Sequence, residues 1–534
     1  MRVLFAFALA AVFLECVDAY RPINAHKQWF RYPGNAGVKI RLTKKGANHI
    51  KTVGVQLFND YVANLKDYST DVPFNQIGMI GVARLSNLRI KNYHPPQLSV
   101  LNFLPTRYIV LGLENLDLSL SSHFFASAPP LQFEGSLDGS IVGMTIALTA
   151  ELLATQTGSM SAIVRNCSAI VARSHVILNP VGPMGIFLKT FEGMINDSVR
   201  QRIPEILCAK LQTAIEKHVG QMFDKVIRMD LMDQLPRVAT KNGDLMQSFM
   251  AQLSNGMFLD NRLMAHPYVT FDFIETNHQG IIEYDQSAQT PFYPRAMENL
   301  TSSEDRMLHI YISDHLLNSL LYHAYQDNRL SMKIENESLP AELKGFVGTS
   351  CPTVWNPSNI CVGRLIPQIG KSFPNATTSF VILPHGLPYV RFTPDGATIE
   401  TTNRVLTYLE NYDERVKSQI LVFSINGQAV IGFVPNDGIL EANLSLNRFN
   451  VRLHRSSIRG VDETSISKLS PLAKTFIAPR LNRALQKAIK LPMQETMRFM
   501  NPQVRTFDGY MQLSTDFELN AKRMKMMMGN VTIA

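Results

Sequence analysis

The chain has 534 residues, of which 46% are hydrophobic and 18% charged, and 52 Lys/Arg against 44 Asp/Glu leave a formal net charge of +8. That length fits two to four domains, and an apolar, weakly charged composition excludes a disordered chain or a coiled coil. No run of 18 or more apolar residues occurs, so no segment is long enough to cross a bilayer as a helix.

The first residues read as a secretory signal over 1–19. Arg2 supplies the positive start, residues 3–14 are a 12-residue apolar core, and Val17-Asp18-Ala19 places small residues at the outer cleavage positions. Such a core is too short for a membrane span and suits a signal peptide. Secretion makes the Asn-x-Ser/Thr tripeptides at Asn166, Asn196, Asn299, Asn336, Asn375, Asn443 and Asn530 candidate glycosylation sites. Cys16 leaves with the signal, so Cys167, Cys208, Cys351 and Cys361 remain, and four cysteines allow three pairings. Proximity favours Cys167 with Cys208 and Cys351 with Cys361, with free buried thiols as the alternative for each pair. The first bridge closes a loop of about forty residues, worth roughly 4 kcal/mol in the chain-entropy account.

Along the chain, Val38, Ile40 and Leu42 alternate as one strand face, and Thr43 is a possible helix N-cap. A helix is predicted over 44–66, with an apolar stripe of Ala47, Ile50, Gly54, Leu57, Phe58, Tyr61 and Leu65 at three-and-four spacing. Strand-like alternation follows at Leu116, Leu118 and Leu120, at Phe133, Gly135, Leu137 and Gly139, and at Met144, Ile146, Leu148, Ala150 and Leu152. A less periodic stretch at 236–266, with the turn pairs Asn242-Gly243 and Asn255-Gly256, is predicted to connect two domains, 20–235 and 267–534. The opening pattern then returns: Leu308, Ile310 and Ile312 alternate, Ser313 takes the cap position, and Leu316, Leu317, Leu320, Leu321 and Ala324 form a stripe. Strands are predicted at 421–425, 429–434 and 440–451. A second echo, Leu211-Gln212-Thr213-Ala214-Ile215 against Leu485-Gln486-Lys487-Ala488-Ile489, follows Pro204 and Pro479 in turn. Two echoes in the same order argue for a duplicated domain. The positive charge is confined to the first half, where residues 20–241 hold 24 Lys/Arg against 15 Asp/Glu.

Several stretches together resemble the family of bactericidal/permeability-increasing protein, lipopolysaccharide-binding protein, and the phospholipid and cholesteryl ester transfer proteins. They are Gly37-Val38-Lys39-Ile40-Arg41-Leu42 with Lys45-Gly46, then Asp67-Tyr68-Ser69, then Cys167 and Cys208, then Pro291-Phe292, Asp305-Arg306-Met307, Ser313-Asp314 and Asn318. The resemblance implies an α+β fold: two elongated antiparallel β-barrels, each wrapped around long helices and joined by a central β-sheet in a pseudo-two-fold boomerang. It implies a secreted, extracellular, non-enzymatic protein without a cofactor, which buries phospholipid acyl chains in apolar barrel pockets and transfers lipid. By position, Ile50, Leu57, Phe58, Tyr61 and Leu65 face Phe187, Phe191, Ile195 and Val199 across the first pocket, and Leu317, Leu320 and Leu321 are their counterparts in the second. The alternative for all of them is an ordinary core role. The implied partners are phospholipid or a related amphiphile and anionic membrane or lipoprotein surfaces.

The lipopolysaccharide binders of this family carry a Lys-rich tip, and here the sequence departs from them. Residues 69–83 and 121–133 contain no Lys or Arg, and none occurs between Arg107 and Arg165, an interval that holds Glu114, Asp117, Glu134, Asp138 and Glu151. Lipopolysaccharide binding in innate defence is therefore the second reading. Phe124 and Phe125 are either interfacial anchors or packing at the barrel end. The cations lie instead at Arg41, Lys44, Lys45, Lys51, Arg84, Arg89 and Lys91, and at Lys189, Arg200, Arg202, Lys210, Lys217 and Lys225, placed for anionic membrane contact or for a solvated face. No Gly-x-Ser-x-Gly elbow, phosphate loop or paired-His zinc motif is present, so a secreted lipid hydrolase is a remote third reading. His309, His315 and His323 are spaced poorly for a metal and are expected to be satisfied or exposed. Scattered cations on a secreted chain, without an aromatic-basic module, argue against a nucleic-acid partner, and none is expected.

Overall fold

The computed structural model of the protein describes residues 34–522 apart from internal stretches, chiefly 183–195, 217–223, 235–244, 352–360 and 471–481. The first alternating run is a strand, β1 (Val38–Thr43), and the spaced stripe after it is a helix, α1 (Lys44–Ala63). Thr43 caps the helix, its Oγ1 accepting from the Gly46 N–H at 3.3 Å. Six strands follow: β2 (Tyr68–Gln76), β3 (Met79–His94), β4 (Leu98–Leu104), β5 (Tyr108–Ala128), β6 (Leu131–Ala154) and β7 (Met160–Pro180). The middle of the chain holds β8 (Arg228–Asp230), α2 (Leu245–Ser254), β9 (Met257–Asp260), β10 (Tyr268–Val269), β11 (Phe273–His278), β12 (Ile281–Tyr284), β13 (Leu308–Ser313) and α3 (Asp314–Gln326). The second half adds β14 (Met332–Ile334), β15 (Thr377–Pro384), β16 (Tyr389–Thr393), β17 (Gly396–Glu410), β18 (Lys417–Asn436), β19 (Ile439–Ser456), β20 (Ile489–Lys490), β21 (Met497–Phe507) and β22 (Tyr510–Leu519).

A central sheet, ordered β10-β11-β1-β13-β22-β21, joins the two ends of the chain. At its middle the two echoed strands pair antiparallel, Val38 with Ile312, Ile40 with Ile310 and Leu42 with Leu308. This is the register that a two-fold axis through Ile40 and Ile310 demands. The flanking bonds obey the same axis: the Thr43 N–H donates to the Met307 carbonyl and the Ser313 N–H to the Gly37 carbonyl. Ser313 repeats the cap, its hydroxyl accepting from the His315 N–H at 3.2 Å. Gly37 has no room for a side chain, because a Cβ there would lie 2.2 Å from the Gln279 carbonyl oxygen.

The outer sheets repeat one plan. The first runs β2-β3-β5-β6-β7 with β4 paired to β5, and the second runs β14-β15-β17-β18-β19-β20 with β16 paired to β17. Six successive strands in each half thus share one connectivity, as duplication predicts. The expected closed barrels are corrected: among the described residues both sheets are open. The physical reason lies at the edge strand β7, where helix side chains take the backbone groups that a closing strand would pair. The Asn196 Oδ1 accepts from the Val176 N–H at 2.7 Å, its Nδ2 reaches the Val176 carbonyl at 3.5 Å, and the Arg200 Nε donates to the Val171 carbonyl at 3.2 Å. On β19, Asn482 grips Leu444 in the same way, accepting from its N–H at 2.5 Å and donating to its carbonyl at 3.0 Å.

Within 236–266, the Asn255-Gly256 pair turns α2 into β9, with Gly256 at φ +68°. Strand β9 pairs with β8 and β12 in a separate three-stranded sheet, and Leu263 forms a single bridge to His278 of β11. The strands expected at 421–425 and 429–434 are one strand, β18, which crosses Asn426-Gly427-Gln428 without a turn and absorbs the irregularity as a register shift at Gln428 and Ala429. The signal segment, Asn242-Gly243 and residues 485–488 of the second echo lie outside the described residues.

Candidate functional site

The apolar stripe of α1 turns inward. Ile50, Leu57 and Phe58 are buried in the largest apolar cluster, together with Ala47. That cluster runs from the inner faces of β4, β5, β6 and β7 through Leu211 and Ile215 into Leu308, Leu513 and Phe517 of the central sheet. The first-half candidates Ile50, Leu57 and Phe58 are therefore brought together beside the central sheet. Leu65, Phe187, Phe191, Ile195 and Val199, and the side chain of Tyr61, lie outside the described residues.

Polar groups on α1 bracket this seam. His49 sits edge-on to Phe517 with ring centroids 5.6 Å apart, its Nε2 buried without a hydrogen-bond partner. Burial pushes its pKa below the usual value, against the pull of Glu518 and Asp516. The Tyr93 hydroxyl donates to Asn59 Oδ1 at 2.6 Å, and burial pushes the phenol up to about 12. The Lys51 ammonium donates to the Ser99 carbonyl at 2.9 Å.

The second seam is built differently. On α3 the fully buried face is polar: Asp314, His315, Asn318, Ser319 and His323, with Ala324. Asn318 clamps Val390 of β16 through both backbone groups, at 2.7 and 2.8 Å. The Ser319 hydroxyl accepts from the Ile282 N–H at 2.8 Å. The candidates Leu317 and Leu321 are half-buried against Val390, Phe392, Ala397 and Met511, whereas Leu320 packs with Leu253, Met257 and Ile282 on another side. The three leucines therefore do not share one surface. The polar face escaped the sequence reading, which followed leucines, although polar residues at 314/315, 318/319 and 323 repeat at helical spacing.

All three histidines are buried; His309 and His323 are satisfied as expected, His323 by a hydrogen bond to the Ile282 backbone, and His315 is the correction. His309 Nδ1 is bonded to the Ser514 hydroxyl at 2.8 Å, but His315 Nδ1 has no partner and burial holds that imidazole down at about 4. Among the described residues no group of three or more His, Cys, Asp or Glu is arranged to hold a metal.

Four of the cations expected at a membrane or on a solvated face are matched to carboxylates, one of them buried and three at the surface. Arg41 is buried in the central sheet, bonded to Glu275 through Nε and Nη2 at 3.0 and 2.6 Å, with its guanidinium 4.0 Å over the Phe273 ring. Lys45 pairs with Asp516, Arg84 with Asp71 and Lys91 with Asp138. Arg107 and Arg165, which flank the cation-free interval, both reach Glu151, buried between them. Lys189, Arg202, Lys210, Lys217 and Lys225 lie outside the described residues. At the tip the aromatic pair divides: Phe124 packs with Val176 and Leu178, while Phe125 and Val82 are exposed.

Cys167 bonds Cys208 with a Cα separation of 5.6 Å, and Cys351 bonds Cys361 at 5.5 Å. Of the glycosylation candidates, Asn166, Asn375 and Asn443 are exposed, Asn336 is half-buried and Asn196 is engaged on β7, whereas Asn299 and Asn530 are outside the described residues.

The chain is 22% identical over 489 residues to the bactericidal permeability-increasing protein of Sebastes schlegelii, covering 91% of this chain and 95% of that protein. It is 30% identical over 316 residues to the cholesteryl ester transfer protein of Gallus gallus, covering 56% and 59% of the two. The crystal structure of lipopolysaccharide binding protein aligns at 18% identity with a TM-score of 0.42, over 91% of this chain and 99% of that one. Residues 59–222 match the N-terminal domain and residues 251–519 the C-terminal domain of the LBP / BPI / CETP family, and the chain belongs to that family.

Proposed function

We propose that the protein is a secreted, non-enzymatic lipid carrier that shelters the acyl chains of a phospholipid or related amphiphile in the seam between α1 and the first outer sheet. The reading divides the chain into a signal at 1–19, a first lipid-binding domain at 20–235, a connector at 236–266 and a second domain at 267–534. One observation carries it: the stripe of Ile50, Leu57 and Phe58 lies in a single apolar cluster continuous from the outer sheet to the central sheet. Such a seam is non-directional and adapts to hydrocarbon. A tail of about sixteen carbons gains on the order of 12 kcal/mol on leaving water, at roughly 0.8 kcal/mol per methylene. Tyr61, Leu65, Phe187, Phe191, Ile195 and Val199 complete the wall in this reading. The polar buried face of α3 makes the second seam, with Leu317, Leu320 and Leu321, the weaker site.

Relatives named for lipopolysaccharide and for cholesteryl ester fit an amphiphile as cargo. Lipopolysaccharide ranks below phospholipid, because the tip presents Phe125 and Val82 where a cationic cluster would be needed. Exposed Asn166, Asn375 and Asn443 are the favoured glycan acceptors. Native mass spectrometry of the purified secreted protein tests the reading. One stoichiometric, intact two-chain lipid per molecule is expected. An empty protein overturns it, and released fatty acid would point to a hydrolase.

A further inference from the structure

A surface cavity of about 340 Å³ opens where β6 and β7 meet the helical residues Asn196 and Arg200, away from the α1 seam. The β6–β7 register places Ser140 beside His175 and Val142 beside Arg173, and all four line the cavity. Asn196 and Arg200 close it from the helix side.

The helix side is fixed. Asn196 is tied to Val176, and Arg200 is tied through Nε to the Val171 carbonyl, so the guanidinium is held at the wall with no acidic partner among the described residues. The Arg173 and His175 side chains have no hydrogen bond or ion pair among the described residues, unlike Arg41, Arg84, Lys91, Arg107 and Arg165, each matched to a carboxylate. Asp138, two residues along β6 from Ser140, is already paired with Lys91 at 2.5 Å. Among the described residues no carboxylate lines the cavity. Two guanidinium groups and an imidazole, with the Ser140 hydroxyl donating to the His175 carbonyl at 3.5 Å, surround this hollow. Planar guanidinium pairs of this kind suit the oxygens of a phosphate group.

We propose that this cavity is a binding site for a phosphate group, distinct from the acyl-chain seam. The rim favours a phosphate carried on a lipid headgroup, because Val142, Ile170 and Ile177 stand exposed on the same two strands, at 41%, 65% and 41% of their full area. Cations flanked by aliphatic side chains match an anionic lipid surface, where the headgroup meets the guanidinium groups and the aliphatics meet the glycerol region. The site does not rest on acyl-chain burial and stands or falls separately from it.

The test uses the full secreted chain with phosphatidylcholine vesicles, with and without phosphatidic acid, and calorimetric titration with inorganic phosphate. Arg173→Gln and the double variant R173Q/H175Q alter exposed side chains, so an unchanged melting temperature and unchanged co-purified lipid serve as controls. Preference for phosphatidic acid vesicles that falls about tenfold in R173Q supports a lipid-borne phosphate, the loss expected for one charge-assisted contact. A phosphate heat that R173Q abolishes, with no vesicle difference, supports the site with free phosphate as its ligand. Vesicle and phosphate binding that are both indifferent to Arg173 overturn the proposal. So does a glycan on Asn196 in the secreted protein, since it would fill the cavity.

Discussion

The two halves share a backbone plan and differ in how each helix is held. α1 buries Ala47, Ile50, Gly54, Leu57 and Phe58, whereas α3 buries Asp314, His315, Asn318, Ser319 and His323. Central-sheet pairing and helix capping are directional hydrogen bonds that both copies must satisfy, so Thr43 and Ser313 keep one role. Contact between helix and outer sheet has no such requirement. In the first half it is mainly apolar area, with the Lys51–Ser99 and Tyr93–Asn59 bonds at its margin. In the second it includes the buried clamp of Asn318 on Val390, while Ser319 fixes the other side of the helix to Ile282 of the three-stranded sheet; a chain inserting beside α3 would have to break the clamp. The difference teaches that duplication of a fold does not duplicate the seam between its helix and its sheet.

The largest expected effect compares the two staples. Cys208→Ala opens a loop with a sequence separation of 41 and should cost about 4 kcal/mol, while Cys351→Ala opens one of 10 and should cost about 3 kcal/mol. Non-reducing denaturant titration of each variant measures both, and an unchanged midpoint for Cys208→Ala would remove the staple from the comparison. Next come the helix stripes. Ile50→Ala should cost about 3 kcal/mol, because its side chain is fully buried, and Leu317→Ala about 1 kcal/mol, because it is half-buried. Equal losses would mean that the seams are alike after all.

Acid should act on the second seam through His315 and on the central sheet through His278, both held down at about 4 by burial. Each is neutral when folded and takes up a proton below its ordinary value of 6.5 once unfolded. Stability should therefore fall as pH drops from 6.5 towards 4, and level off below. Asp314, raised by burial, has the opposite sign: its folded carboxyl keeps a proton that the unfolded one gives up, so it favours folding as pH falls. His315→Gln should flatten the slope by about 2 kcal/mol. Melting curves for His315→Gln and wild type that run parallel between those two pH values would show that His315 does not titrate with folding.

Much of the plan was legible because it rests on local periodicity. The alternation at Val38, Ile40 and Leu42, the cap at Thr43, the α1 stripe and their later echo all appear where expected, and the echo becomes an antiparallel pair in space. Pairings between distant residues were not legible. Arg41 looked like a surface cation because nothing near it in the chain is acidic; its partner Glu275 is 234 residues away on β11. The open sheets were hidden for a related reason: periodicity marks strands, but it does not say which side chain will take an edge strand's backbone groups. In the candidate site, the burial of Ile50, Leu57 and Phe58 followed from their spacing, whereas the buried polar face of α3 was masked by the leucines interleaved with it.

The smallest expected effect concerns the two edge clamps. Asn196 and Asn482 make the same two-point grip on a strand backbone, yet one precedes Pro204 and the other follows Pro479, so they are not equivalent positions of the repeat. Two different helix positions have met one demand, namely that unpaired edge groups find partners. Asn196→Ala and Asn482→Ala should each cost only about 1 kcal/mol, the net worth of such a part-buried hydrogen bond. Hydrogen exchange gives the sharper readout: the Val176 amide should exchange faster in the first variant and the Leu444 amide in the second, each without change in the other. If both amides respond to either substitution, the edges are coupled through the central sheet and the halves do not open separately. If neither responds, the clamps are incidental, and another group must be what holds the outer sheets open.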